Sequence, residues 1–199
     1  MRYAERDEAQ RGRFARDLGR VLAGNPGVYY LDECGVDHRL HRPYARAPRG
    51  EKVYAEVHGS RRGRTSVISA CRGGRLVCPV VFGGHCDRPV VDAYLAGALL
   101  PSIPEGSVIV LDNASFHRSP STLALVEAAG CSLMFLPTYS PDLNPIEHVW
   151  ATLKRLLQGG LQEAEDKVAF IEKACLFYAP KCNNINLKCY SIPNTQPCV

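Results

Sequence analysis

Apolar positions recur along the chain in two rhythms, and the switches between them mark its elements. Phe14, Leu18, Val21 and Leu22 fall at helical spacing among Arg, Asp and Glu, which predicts a helix over residues 2–23. Asn25-Pro26-Gly27 breaks it. Such a helix either packs on the main domain or stands off from it; residues 1–26 are read as a linker helix. Val28–Leu31 is a short β-prone run ending on Asp32-Glu33. Thr65–Cys71 and Leu76–Phe82 are two more, separated by Arg72-Gly73-Gly74-Arg75, and predict a hairpin. Val53–Val57 is a candidate extra strand. Val90, Val91, Tyr94, Leu95, Ala98 and Leu99 make one face of a helix closed by Pro101 and Pro104.

Val108–Leu111 is continuously apolar, as a strand buried on both faces is, and ends on Asp112. Ser121–Ala129 reads as a helix stopped by Gly130, Leu133–Leu136 as a strand stopped by Pro137, and Asn144–Gln158 as a helix stopped by Gly159-Gly160. A last helix is expected over Glu163–Tyr178. The order, an antiparallel meander followed by strand–helix alternation, predicts an α/β fold: a mixed five-stranded sheet flanked by helices. Residues 27–179 form its domain. Residues 180–199 lose periodicity and read as an irregular tail, whose Cys182, Cys189 and Cys198 fit no common zinc spacing.

Composition narrows this little. The 199 residues suffice for one domain, and 46% hydrophobic with 22% charged residues is ordinary for a globular chain. A net charge of +4 permits nucleic-acid binding without demanding it. No apolar run has the ~20 residues of a membrane helix, and the charged N-terminus lacks a signal core. A cytoplasmic protein with no membrane partner is expected. The nine cysteines are odd in number and contain no C-x-x-C pair, which suits free thiols.

Candidate chemistry lies in three acids. Asp32 and Asp112 follow predicted strands, where sites are built in α/β sheets. Glu147 lies in the first turn of the Asn144–Gln158 helix, with thirty-four residues between it and Asp112. That interval holds one helix and one strand, so the chain returns to the same end of the sheet. Three carboxylates suit two Mg²⁺ or Mn²⁺ ions for phosphodiester chemistry. Each acid also has a local explanation. Asp at a strand end is a common turn residue. With Asn144 as N-cap and Pro145 at the first helical position, Glu147 falls where a capping box closes. Ile146, Val149, Trp150, Leu153, Leu156 and Leu157 form the buried stripe, with Glu147 at its edge in line with Lys154. Spacing does not choose between ligand and cap.

The segments LDECGV (Leu31–Val36), VLDNASFH (Val110–His117) and LPTYSPDLNPIEHVWATLKR (Leu136–Arg155) resemble the DDE endonuclease domain of bacterial insertion-sequence transposases, the insertion-sequence-630 group of the mariner-like superfamily. The resemblance runs from about Arg6 to Ala179. It implies a ribonuclease-H-like fold and a transposase that cuts double-stranded DNA at terminal inverted repeats and joins the ends to a TA target. Asp32, Asp112 and Glu147 would bind two Mg²⁺, with Mn²⁺ as substitute. Glu33, Asn113, His117, Asn144 and His148 belong to the same motifs and would orient, support or cap. The resemblance also implies a homodimer when active. About 27 residues precede the first strand, too few for helix-turn-helix modules. The expectation is therefore a catalytic part, served by a separate helix-turn-helix subunit. The alternative is a catalytically silent remnant that binds DNA or protein.

Arg39, Arg42, Arg46, Arg49 and Lys52, with His38, His41 and Tyr44 among them and Arg61, Arg62 and Arg64 beyond, form a basic segment. Together with Lys154 they are the expected DNA contacts. His38 with His41, and His85 with Cys86, read as surface or supporting residues rather than zinc ligands.

Overall fold

The computed structural model describes residues 4–24, 27–38, 40–41, 44–54, 64–113 and 119–179. Five strands form one sheet: β1 (Val28–Asp37), β2 (Arg64–Arg72), β3 (Arg75–Gly83), β4 (Val108–Leu111) and β5 (Ser132–Phe135). Their spatial order is β3-β2-β1-β4-β5. The first three pair antiparallel, while β1–β4 and β4–β5 pair parallel. Gly73 and Gly74, with φ of 58° and 74°, join β2 to β3. Left-handed geometry at both central residues matches the hairpin twist and favours glycine.

The helices are α1 (Glu8–Ala23), α2 (Arg88–Tyr94), α3 (Pro120–Ala128), α4 (Ile146–Leu157) and α5 (Lys167–Tyr178). Alternation along β1 divides the core between two faces. Tyr29 and Leu31 pack with Val90, Val91, Tyr94, Leu95 and Leu99 on the α2 side. Cys34 and Val36 pack with Ile146, Val149, Trp150 and Leu153 of α4 and Ile171 of α5. The same alternation turns Ile109 and Leu111 of β4 toward α2, and Val108 and Val110 the other way. Asp32 and Asp112 continue the second set, so both acids belong to the face that α4 covers. Five buried side chains on α4, at about 1.5–3 kcal/mol each, dock that helix on the sheet.

Several elements differ from the sequence expectation. β1 does not end at Asp32-Glu33 but runs on to Asp37, with Asp32 paired to Ser69 of β2. Its ladder with β4 stops at Tyr30↔Val110. Carried two residues further, that register sets Asp32 abreast of Asp112. The polar pair marks the end of one neighbour, not of the strand. Val53 and Tyr54 are exposed and outside any strand, and the rest of the candidate Val53–Val57 strand lies outside the described residues. The helix expected to close at Pro101 is α2 running into a π-helical turn, Leu95–Leu99, and a 3₁₀ turn, Leu100–Ser102. α5 starts at Lys167, not Glu163, because Asp166 caps it by accepting from the Ala169 N–H. α1 does not stand off as the expected linker: Phe14 is buried against Val28, Val108, Val110 and Leu136.

No helix among the described residues is long and apolar enough to cross a membrane. The six described cysteines are free thiols. The tail beyond residue 179 lies outside the described residues.

Candidate active site

Asp32, Asp112 and Glu147 line one cavity of about 430 Å³, together with Asn113, Asn144 and the Leu136–Pro141 segment. Three elements deliver them: the middle of β1, the residue after β4 and the first turn of α4. Asp32 is the most enclosed. Its Oδ1 accepts from the Glu33 backbone N–H at 2.9 Å. Its Oδ2 accepts from Trp150 Nε1 at 3.3 Å and from Asn144 Nδ2 at 3.4 Å. Burial, then the charges of Glu33 and Glu147, push its carboxyl up to about 7; the Glu33 amide opposes this, and Asp112 adds to it. Asp112 and Glu147 are exposed to solvent at the cavity.

Asn144 does not cap α4. No side chain caps that helix, and the capping position falls on Pro145. Glu147 is therefore the second residue of the helix, and no capping box closes. Proline at 145 already removes one amide that would need a partner. The Asn144 amide turns inward to Asp32 instead. With the local explanation removed, the position of Glu147 at the cavity stands without a capping role.

The donor set can be weighed for a divalent cation. Mg²⁺ and Mn²⁺ take oxygen ligands, and the cavity offers three carboxylates and two amide oxygens. Asn113 Oδ1 and Asn144 Oδ1 are buried and lack hydrogen-bond partners. The raised Asp32 carboxyl registers first its burial and then the neighbouring charges of Glu33 and Glu147. Each of these deficits is one a cation meets, so the residues fit. No three His, Cys, Asp or Glu among the described residues stand close enough to hold one ion as they are. Like charges without a counter-ion keep apart, and the exposed Glu147 side chain has room to change rotamer.

The remaining expected residues are scattered. Glu33 falls on the opposite face by alternation. There it is the second cause, after burial, of the rise of the Cys86 thiol to about 12. His148 is exposed on α4, and His117 lies outside the described residues. Lys154 reaches the Cys34 thiol and offsets part of the upward push of burial on it. Arg46, Arg49 and Lys52 are exposed, while Arg39, Arg42, Arg61 and Arg62 lie outside the described residues. His38 Nε2 bonds Thr65 Oγ1 at 2.7 Å. Sequence reasoning takes Trp150 for core alone. Its polar edge is the missed signal, since a buried indole N–H requires an acceptor.

A protein of Sinorhizobium fredii, y4pE/y4sA, is 35% identical over 85 residues, 42% of this chain and 56% of that protein. The Tcb1 transposase of Caenorhabditis briggsae is 33% identical over 96 residues, 46% of this chain and 35% of that protein. The chain thus spans about half the length of these relatives, or less. The Mos1 transposase in its paired-end complex with the left transposon end superposes with a TM-score of 0.69 at 16% identity, over 92% of this chain and 58% of that one. A further Mos1 paired-end complex, with Mg, gives 0.59 at 14% identity, over 89% of this chain and 62% of that one. These two establish a shared ribonuclease-H-like fold. Residues 27–171 match the family model described as DDE superfamily endonuclease, so the chain belongs to the DDE superfamily of endonucleases.

Proposed function

We propose that this chain is the catalytic part of a transposase, cutting DNA strands with divalent metal and joining the freed ends to target DNA. The observation that carries the reading is the single cavity shared by Asp32, Asp112 and Glu147, with Asp32 raised to about 7 by burial and its acidic neighbours. Those three residues would hold two Mg²⁺ or Mn²⁺ ions. Bound there, the pair would activate the attacking oxygen and stabilise the leaving oxygen of an in-line displacement. Trp150 and Asn144 fix the Asp32 carboxylate by donating to one oxygen and leave its electron pairs aimed by the fold. Asn113 and Asn144 would offer their buried, unpartnered amide oxygens beside the carboxylates. The substrate would be double-stranded DNA, first at terminal inverted repeats and then at a TA target, as the insertion-sequence resemblance implies; the Mos1 complex with a transposon end supports a DNA substrate. Glu33 and His148 would act only indirectly, since the first faces away and the second points to solvent. A homodimer and a helix-turn-helix DNA-binding unit complete the proposal.

The test is cleavage of a repeat-end duplex with Mg²⁺ or Mn²⁺. Asp112→Asn should lower the nicking rate by about 100-fold or more, the scale of losing one group that stabilises transition-state charge. Equal cutting by both proteins would falsify the assignment. The second reading, a silent remnant that binds DNA or protein, draws on the spacing of the three acids, which do not converge as they stand. Retained DNA binding with no metal-dependent cutting, even with a helix-turn-helix subunit supplied, favours it.

A further inference from the structure

α1 is fastened to the rim of the cavity by an ion pair that crosses the fold. Arg11 Nη1 and Nη2 donate to Asp142 Oδ1 and Oδ2 at 3.0 and 2.7 Å. Two parallel bonds to a carboxylate define direction as well as distance. The Arg11 side chain is 15% exposed and that of Asp142 53%, and Arg11 Nε also meets Glu8 Oε2 at 3.5 Å. Asp142 sits in the 3₁₀ turn Pro141–Leu143, immediately ahead of the site residues. That turn hands on directly. The Leu143 N–H donates to Ser140 O, the Asn144 N–H to Pro141 O, and the Glu147 N–H to Asn144 O.

One turn further along α1, Phe14 is buried on Val108 and Val110, the β4 residues that lead to Asp112. Leu143 packs against the same cluster. A smaller cavity of about 250 Å³ is lined by Gln10, Arg13, Phe14 and Asp17 of α1, and shares Asn113, Leu136 and Pro137 with the active-site cavity. α1 therefore touches both halves of the site: the strand end that delivers Asp112 and the turn that delivers Asn144 and Glu147.

We propose that Arg11 and Asp142 form a positioning latch, which sets the turn before α4 and so brings Asn144 and Glu147 into register with Asp32 and Asp112 for cation binding. The latch rests on the reading of this cavity as a metal-dependent site. Packing of α4 alone fixes the helix on the sheet. The turn at its entrance has no side-chain cap and is held by its backbone bonds, by Leu143, by the Asn144–Asp32 bond and by the Arg11–Asp142 pair.

Trp150 is the chain's sole tryptophan, and its indole N–H lies on Asp32, so its emission reports on the site. Titrating the whole chain with MgCl₂ and MnCl₂ while following that emission gives an apparent cation affinity. Arg11→Glu and Asp142→Arg should each weaken it by about three- to fivefold, the scale of a well-formed ion pair. The double charge swap should recover most of the loss. Melting temperature is measured in parallel. Variants that melt earlier yet bind the cation like wild type reduce the pair to a structural one and overturn the latch. So does failure of the swap to recover affinity. Arg11→Lys keeps the charge and loses the two-pronged geometry; it serves where the reversals do not fold, and unchanged affinity in it and in Asp142→Asn also overturns the latch. A wild-type chain whose emission ignores both cations overturns the functional reading itself, and the latch with it.

Discussion

Asp32 occupies the point where β1 has lost its β4 neighbour but keeps its β2 neighbour. Its side chain is enclosed there with other acids, and its carboxyl rises from 3.8 to about 7. Between those values the folded chain holds a proton that the unfolded chain has released. Stability therefore falls as pH rises through that window: the cost is absent below about pH 3.8 and complete above about pH 7. Asp32→Asn removes an ionisation the fold resists. At pH 7.5 without metal it should stabilise the protein by on the order of 1–3 kcal/mol, with no gain near pH 4. Urea unfolding at the two pH values checks this. Added Mg²⁺ should stabilise wild type at pH 7.5 and leave the variant unmoved. A less stable variant at pH 7.5 would show that Asp32 is satisfied by its present partners, and a wild type unmoved by Mg²⁺ that it holds no cation. Glu147 teaches the opposite lesson at this scale. Its sequence context offers a capping role, and the structure withdraws it because proline, not asparagine, holds the capping position.

Among elements, α1 is the one whose placement most changes the picture. Its sequence shows one modest apolar stripe between charged faces, compatible with a helix in water or on a domain. Phe14 decides the matter by lying at 7% exposure against β1 and β4. Phe14→Ala should then cost about 3–5 kcal/mol, as deletion of a buried ring does. A shift in the urea midpoint of that size supports the packed helix, and one near zero restores the free linker. α4 is legible in outline because its stripe of Ile146, Val149, Trp150, Leu153 and Leu157 is a strong 3.6-residue pattern, although Leu156, expected in the same stripe, lies exposed. Its first turn is not legible, since caps depend on dihedral angles that no spacing reports. The length of β1 is hidden for a related reason: Asp32-Glu33 looks like a stop unless one knows that β2 runs alongside as far as Arg64.

At the scale of the whole molecule, the question is how a long DNA substrate meets the cavity. Arg46, Arg49 and Lys52 stand exposed in the segment between β1 and β2, and α4 carries Lys154 and Arg155 in its last turn. Phosphate contacts would release counter-ions, so binding should weaken steeply with salt. Reversing Arg46, Arg49 and Lys52 to Glu should flatten the log–log salt slope by about 0.9 for each phosphate no longer neutralised. An unchanged slope in a fluorescence-anisotropy titration would exclude this segment from the DNA-binding surface. The sequence by itself determined the order of strands and helices, the two-glycine hairpin and the three motif acids, because periodicity, turn chemistry and residue type are local properties. It also carried the family, because its motifs are contiguous runs. Only the tertiary structure decided that Asp32 and Asp112 share one cavity, that Trp150 and Asn144 bond Asp32, and that α1 is ion-paired to the rim through Arg11 and Asp142. Strand register, burial and ion pairing between residues 131 positions apart arise when distant segments share space, and no local pattern records which segments those are.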